Sequence, residues 1–228
     1  MIIRNIDNYA MDCIVIIADS LALPRYEPEV VPASDTYPAL LNRHFGGVIN
    51  CAYGASTSHN VLWQAGYFKN AAVPGVYVFN FGIVDCTPRV LHRGEAWLLR
   101  KVGIRLPAAV AQWLRQYRVI RKVTPEAFRQ NCRAIKALSL GELLVLPIAP
   151  ASDDFESVAP GVQASVALYN AILADEFGDA YCAVELDWRT HIMSDHHHLT
   201  VQGHLQVFEF VRQRLEMFFH KQGLRQHG

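Results

Sequence analysis

The sequence predicts an α/β fold built on a parallel sheet with helices on both faces, and three observations carry that expectation. Short apolar runs alternate with amphipathic stretches along most of the chain, the pattern of repeated strand–helix–strand units. The runs are apolar throughout rather than at every second position, as for parallel strands covered on both sides. The 228 residues are 51% hydrophobic and 18% charged, enough apolar material for a sizeable core. Neither an internal repeat nor a low-complexity linker interrupts the chain, so residues 1–228 are expected to form one domain.

The elements follow in order. Cys13-Ile14-Val15-Ile16-Ile17 reads as the first strand. A helix from about Thr36 to Phe45 stops at Gly46-Gly47, where glycine can end a helix. Val48 to Cys51 is a second strand, Val76 to Phe81 a third, Leu143 to Ile148 a fourth, and Tyr181 to Val184 a weaker fifth. Amphipathic stretches near Ser58–Lys69, Pro125–Leu138, Val162–Phe177 and Val201–Lys221 supply the helices. Ser20, Gly54, Asp85 and Pro150 each follow a strand. All four should therefore lie on the carboxyl rim of the sheet, where ligands gather in such folds.

One stretch departs from the alternation. Between about Val90 and Val123 no strand is apparent, but Trp97, Leu98, Leu99, Val110, Trp113, Leu114 and Tyr117 recur at helical spacing. From Arg89 to Lys122 there are nine basic residues against one acid, Glu95, a surplus of about eight charges in a chain whose formal net charge is zero. This insertion is expected to form a basic helical lid over the rim. Its blander reading is a solvated basic face on two helices.

The bulk properties exclude several classes. A neutral chain gives no argument for nucleic-acid binding. The start is polar, the run Cys13 to Ile17 that follows is too short for a signal-peptide core, and no window reaches the length of a membrane span, so a soluble, cytoplasmic protein is expected. Five scattered cysteines (Cys13, Cys51, Cys86, Cys132, Cys182) form no CxxC pair, which favours reduced, buried thiols over disulfides or zinc. No cofactor and no metal are expected. The oligomeric state is not legible.

The chemistry gathers at the two ends. Ile16-Ile17-Ala18-Asp19-Ser20-Leu21 is a strand that ends in Asp-Ser, and Asp195-His196-His197-His198 precedes the last helix. A serine hydroxyl becomes a useful nucleophile when a base takes its proton and an acid orients that base. Serine, aspartate and histidine occur here in that chain order, with the Asp and His three residues apart, which points to acyl-transfer chemistry. Singly, Ser20 and Asp195 would be read as cap or turn residues. His196 and His197 could suggest metal ligation but lack further ligands at defined spacing. His204 reads as a structural partner on the last helix.

These blocks resemble the SGNH (GDSL-type) hydrolases, over nearly the whole chain. Ala18-Asp19-Ser20-Leu21 resembles the first block, with Ala18 in place of the usual glycine. Asn50 to Thr57 resembles the second, with its glycine at Gly54, and Phe81-Gly82-Ile83-Val84-Asp85 the third, with Val84 where the family carries asparagine. Asp195 to Leu199 followed by Gly203-His204 resembles the last block, with Leu199 replacing a proline. Tyr169-Asn170 matches a Tyr-Asn pair that family members often carry on a helix. The resemblance implies a three-layer α/β/α sandwich of the flavodoxin-like kind with a mostly parallel sheet of about five strands. It also implies Ser20, Asp195 and His198 as catalytic residues.

The resemblance leaves the oxyanion hole incomplete. The backbone N–H groups of Ser20 and Gly54 remain as donors, but Val84 offers none, and Asn80, Asn60 and Arg89 are the candidate replacements. In Asp85-Cys86-Thr87-Pro88-Arg89 the proline stiffens a loop that presents a guanidinium at the rim, able to grip a carboxylate or phosphate. The structural alternative is that Asp85, which as a carboxylate would repel an oxyanion, binds backbone amides or Arg89 and so orders the loop, with Arg89 in a salt bridge to Asp85 or another loop acid. With the basic insertion, this favours an anionic substrate, or one attached to an anionic polymer or surface, held through Asp85 and Arg89. Similar loops in SGNH-like proteins of bacterial polysaccharide production suggest an O-acyl sugar. The leading expectation is thus a serine esterase that removes an acyl group, most simply acetyl, from a small or carbohydrate ester. Acyl transfer to a sugar, or a binding role on a retained hydrolase fold, are the alternatives.

Overall fold

The computed structural model describes residues 13–71, 75–118, 120–139 and 141–226. The polar start, residues 1–12, lies outside them. Four strands form the sheet: β1 (Cys13–Ala18), β2 (Val48–Asn50), β3 (Gly75–Asn80) and β4 (Glu142–Val145), all parallel, in the order β2-β1-β3-β4. β1 and β3 pair over their full length, from Cys13 opposite Gly75 to Ala18 opposite Asn80. Their side chains are buried almost without exception, which explains why their sequences are apolar throughout. β2 and β4 are edge strands with partly exposed residues. Because β2 and β3 lie on opposite sides of β1, the connections leave β1 in opposite directions and open a crevice at its carboxyl end, the usual ligand site of such sheets. Ser20 is at that point.

Nine helices are described: α1 (Tyr37–Phe45), α2 (Ser58–Asn70), α3 (Ile83–Cys86), α4 (Arg93–Lys101), α5 (Ala108–Tyr117), α6 (Pro125–Leu138), α7 (Asp153–Val158), α8 (Val162–Phe177) and α9 (Val201–Gln226). Helices cover both sides of the sheet: α1 packs on α9, and α2, α6 and α8 pack in series. Each buries one stripe, for example Phe128, Cys132 and Ile135 on α6 or Val207, Val211 and Leu215 on α9. A run of touching rings joins α2, β3, α6 and α8 through Phe68, Tyr77, Phe79, Phe81, Phe128 and Tyr169. All five cysteines are free thiols, and burial pushes Cys86 up to about 12.

The fifth expected strand is reduced to one parallel bridge, Tyr181 to Val145. The Cys182 N–H donates to the Val145 carbonyl (2.8 Å), but the Val184 N–H then bonds back to Cys182 O (2.9 Å). That local bond curls the chain away from the edge of β4. In the loop leaving β4, Asn170 of α8 replaces a neighbouring strand. Its side-chain oxygen accepts the Ile148 N–H (2.8 Å) and its amide donates to Ile148 O (2.9 Å). The Tyr169 hydroxyl bonds the Val123 carbonyl, so the Tyr-Asn pair ties two loops to one helix.

Candidate active site

Ser20 opens a short 3-10 turn directly after β1. Asp19 caps that turn: its Oδ1 accepts the Leu21 N–H (2.9 Å), leaving Oδ2 buried without a partner. Burial, only partly opposed by the Leu21 bond and reinforced by nearby Asp85, raises Asp19 to about 7. At the other end of the chain, residues 191–200 fold into a loop closed by the Ile192–Leu199 bridge, with bonds from Met193 N–H to His198 O (2.7 Å) and Thr200 N–H to His191 O (2.9 Å). Gly203, in the first turn of α9, lets the helix press against this loop. A Cβ there would sit 2.2 Å from the His191 carbonyl oxygen.

This loop delivers an unbroken hydrogen-bonded chain to Ser20. The Ser20 hydroxyl lies 2.9 Å from His198 Nε2, and His198 Nδ1 lies 2.6 Å from Asp195 Oδ2. Asp195 Oδ1 also accepts the backbone N–H groups of His197 (3.2 Å) and His198 (3.0 Å). Desolvation would raise the Asp195 pKa, but the His198 side-chain and backbone bonds and the adjacent imidazoles outweigh it. The carboxyl stays well below its usual range and therefore ionised. An ionised carboxylate on Nδ1–H favours the tautomer whose unprotonated Nε2 faces the Ser20 hydroxyl. His198 is buried, so little water competes for that proton.

Ser20, Gly54, Val84, Arg89, Asp195 and His198 all line one cavity of about 490 Å³. Ala55 (φ 58°) and His196 (φ 70°), the non-glycine residues with left-handed backbone among those described, also line it. Such strain costs of order 1–3 kcal/mol and gathers at functional sites. Neither the Ser20 nor the Gly54 N–H has an acceptor among the described residues. Val84 presents an apolar side chain, as its sequence requires. Of the three candidate replacements only Arg89 reaches the cavity. Asn80 is buried at the end of β3, and the Asn60 oxygen is bonded to the Thr57 N–H (3.0 Å) in the capping box of α2.

Of the roles expected for Asp85, contact with substrate and pairing with Arg89 are corrected by its placement, and the contact it makes is with a backbone amide and a hydroxyl. Asp85 is fully buried and absent from the cavity wall. Its carboxylate accepts the Ser58 N–H (3.0 Å) and Ser58 hydroxyl (2.7 Å), and Asn131 donates to the same hydroxyl (2.8 Å). It anchors the first turn of α2, which follows the Gly54 loop. Burial raises it to about 6, against the lowering effect of the Ser58 bonds. Arg89 keeps an exposed side chain with no hydrogen bond or ion pair among the described residues, while its backbone bridges to Ile120.

Sequence reasoning missed Arg25. Its Nη2 lies 2.6 Å from His198 Nδ1 and closes on Nε2 as well, and its Nε is buried without a partner. The signal was present: Pro24-Arg25 repeats the Pro88-Arg89 dipeptide after a second rim loop, and both arginines line the cavity. Phe155 was missed too. It stacks on His196 and His197 and steadies the loop that carries His198. His204 is a structural partner, accepting the Tyr37 N–H on Nδ1 (3.1 Å), and burial lowers it to about 4. Asp195, His197 and His198 bring possible metal-ligand atoms within 4.8 Å of one another. Both His198 nitrogens, however, are already engaged by Asp195 and Ser20, and His197 Nδ1 lies on the Asp195 carbonyl (2.8 Å). These bonds suit proton transfer better than metal ligation.

The insertion does not overhang the cavity as a lid. Among the described residues none of 90–118 lines it. α4 and α5 form a hairpin beside its mouth, joined by the Glu95–Arg118 ion pair (2.7 Å) and rooted by the Arg89–Ile120 bridge. Arg115 fastens it to the carbonyl of Val158, a cavity residue (2.7 Å).

No protein-family model and no curated protein matches the chain by sequence. Solved structures do match by shape. A lipase/acylhydrolase from Enterococcus faecalis is 15% identical and superposes with a TM-score of 0.61 over 90% of this chain and 95% of its own. A GDSL-like lipase from Bacteroides thetaiotaomicron is 11% identical, with a TM-score of 0.56 over 91% and 89%. An acetylxylan esterase from Geobacillus stearothermophilus is 15% identical, with a TM-score of 0.54 over 89% and 93%. The chain has the fold of the GDSL-type hydrolases. The expected three-layer sandwich is therefore the observed one, and the blocks quoted from the sequence fall on the strand ends and loops around its rim.

Proposed function

We propose that this protein is a serine esterase that removes an acyl group, most simply acetyl, from a small or carbohydrate ester carrying an anionic group. The single observation that supports this most is the Ser20–His198–Asp195 chain of hydrogen bonds at 2.9 and 2.6 Å, opening on a cavity large enough for such an ester. Ser20 Oγ attacks the ester carbonyl as His198 Nε2 takes its proton, and Asp195 stabilises the resulting imidazolium. The oxyanion is met by the Ser20 and Gly54 N–H groups. His198 then returns the proton to the leaving alcohol, and water attacks the acyl-serine by the same route in reverse. Arg25 and Arg89 supply two cations to the cavity wall, which supports a substrate with a carboxylate or phosphate near the ester. The acetyl and carbohydrate parts of the proposal are supported by likeness to the acetylxylan esterase and by the Pro88-Arg89 loop.

The test is labelling by a fluorophosphonate together with p-nitrophenyl acetate turnover. Wild type should label and turn over, and Ser20→Ala should do neither while keeping its circular dichroism spectrum. A folded wild type that neither labels nor hydrolyses would assign the chain a binding role. Turnover that speeds up with sugar acceptors and yields an acylated sugar would replace hydrolysis by transfer.

A further inference from the structure

The α4–α5 hairpin exposes what a helix pair in a globular protein normally buries. Trp97 (59% exposed), Trp113 (56%) and Tyr117 (70%) stand in solvent together with Leu98, Val102, Ile104 and Val110. On α5 the exposed residues Val110, Trp113 and Tyr117 follow at intervals of three and four, one continuous stripe along the helix. Two other cations of the hairpin already have partners: Arg115 donates to the Val158 carbonyl, and Arg118 pairs with Glu95 across the hairpin. At the tip the arrangement differs. Arg100, Lys101 and Arg105 are exposed and alternate with Trp97, Leu98, Val102 and Ile104, and Lys101 lies over the Trp97 ring at 4.8 Å.

So many exposed large apolar side chains on one insertion mark an interaction site. Interleaved cations narrow the partner to an anionic surface, and the exposed aromatic and aliphatic side chains among them require that surface to accept apolar groups. An acidic polysaccharide would satisfy the charges but leave the aliphatic side chains in water. The interfacial layer of an anionic bilayer satisfies both, with tryptophan and tyrosine at the headgroup level and lysine and arginine reaching the phosphates. We propose that the α4–α5 hairpin docks this protein on anionic lipid membranes through Trp97, Trp113 and Tyr117 and the cations Arg100, Lys101 and Arg105. The bond from Arg115 to Val158 holds the cavity mouth beside the docked surface. This assignment does not depend on the esterase reading, because it concerns residues outside the cavity.

The experiment is co-sedimentation of the full chain with phosphatidylcholine vesicles, with and without phosphatidylglycerol, at low and high salt, alongside tryptophan fluorescence. Wild type should bind the anionic vesicles with a blue-shifted emission and leave them at high salt. The triple variant Arg100→Gln, Lys101→Gln, Arg105→Gln should bind about 100-fold more weakly, since each cation near such a surface is worth about 1 kcal/mol. Trp97→Ser with Trp113→Ser should lose the blue shift. These positions are exposed, so both variants should keep the wild-type melting temperature, and esterase turnover on a soluble ester should be unchanged. Absence of vesicle binding, or equal binding to neutral and anionic vesicles, overturns the proposal. Self-association in solution that Trp113→Ser abolishes would also overturn it, by giving the face to a second copy of the chain.

Discussion

At the scale of single residues, the hydrogen-bonded chain from Ser20 through His198 to Asp195 is short, buried on its His198 side and polarised by an ionised carboxylate. Replacing that carboxylate by an amide keeps the shape but turns the wrong imidazole nitrogen toward serine. Asp195→Asn should therefore lower kcat by about 10⁴-fold with KM little changed, measured on p-nitrophenyl acetate. The oxyanion side makes the opposite kind of prediction. Val84 faces the cavity where a donor would help, so Val84→Asn should raise kcat, by about 10-fold or more given what one donor is typically worth. An unchanged rate would mean that Arg89 or Arg25 already fills the role. For an ester that carries a carboxylate, Arg89→Gln should raise KM about 10-fold and leave the neutral ester unaffected, as expected for loss of one charge-assisted contact.

At the scale of elements, the site depends on how two helices begin. Asp85 holds the start of α2, and with it the approach to Gly54, by three bonds from Ser58. Gly203 lets α9 close against the His191 carbonyl and so sets the height of the His198 loop. Gly203→Ala must push that backbone away, costing about 1–3 kcal/mol by over-packing, and should reduce kcat more than stability alone explains. Urea unfolding and turnover measured on the same preparation check both parts. The last block of the sequence showed a glycine at this helix start. The reason for it, a carbonyl 2.2 Å from where a Cβ would stand, belongs to His191, twelve residues upstream.

At the scale of the whole molecule, buried titratable groups give stability a pH dependence of mixed sign. Asp19 (about 7) and Asp85 (about 6) hold protons more tightly when folded than in an unfolded chain, where carboxyls titrate near 4. Their stabilisation is complete below about pH 4 and is lost as pH rises through about 6 and 7. His204, lowered to about 4, acts in the other direction: the unfolded chain takes up its proton first, so stability rises with pH from about 4 to 6.5. The two trends offset each other in wild type. Asp19→Asn isolates one of them, because asparagine can still accept the Leu21 N–H but never ionises. Its unfolding free energy minus that of wild type should become more positive between pH 5 and pH 8, read by urea denaturation at each pH. A difference that stays flat would mean that Asp19 is not held protonated.

What the sequence determined by itself is what local pattern encodes. Continuous apolar runs gave β1, β3 and most of β4 because strands covered on both faces are apolar nearly throughout, and 3.6-residue periodicity gave α6 and α8 because each buries one stripe. Blocks separated by some 175 residues could be paired as one site because together they hold the three group types of a serine triad and, in their order, resemble the first and last blocks of the SGNH hydrolases. Tertiary structure alone decided the rest. Asp85 reads as a rim residue until α2 is seen to start beneath it, and Arg25 reads as an ordinary loop cation until its loop folds across His198. The weak fifth strand stops after one bridge because a bond within its own backbone wins. Periodicity placed helices at residues 93–117 but not the direction their apolar stripes face, since spacing is unchanged when a helix is turned about its axis. Which side meets water is settled only by what the rest of the chain leaves uncovered.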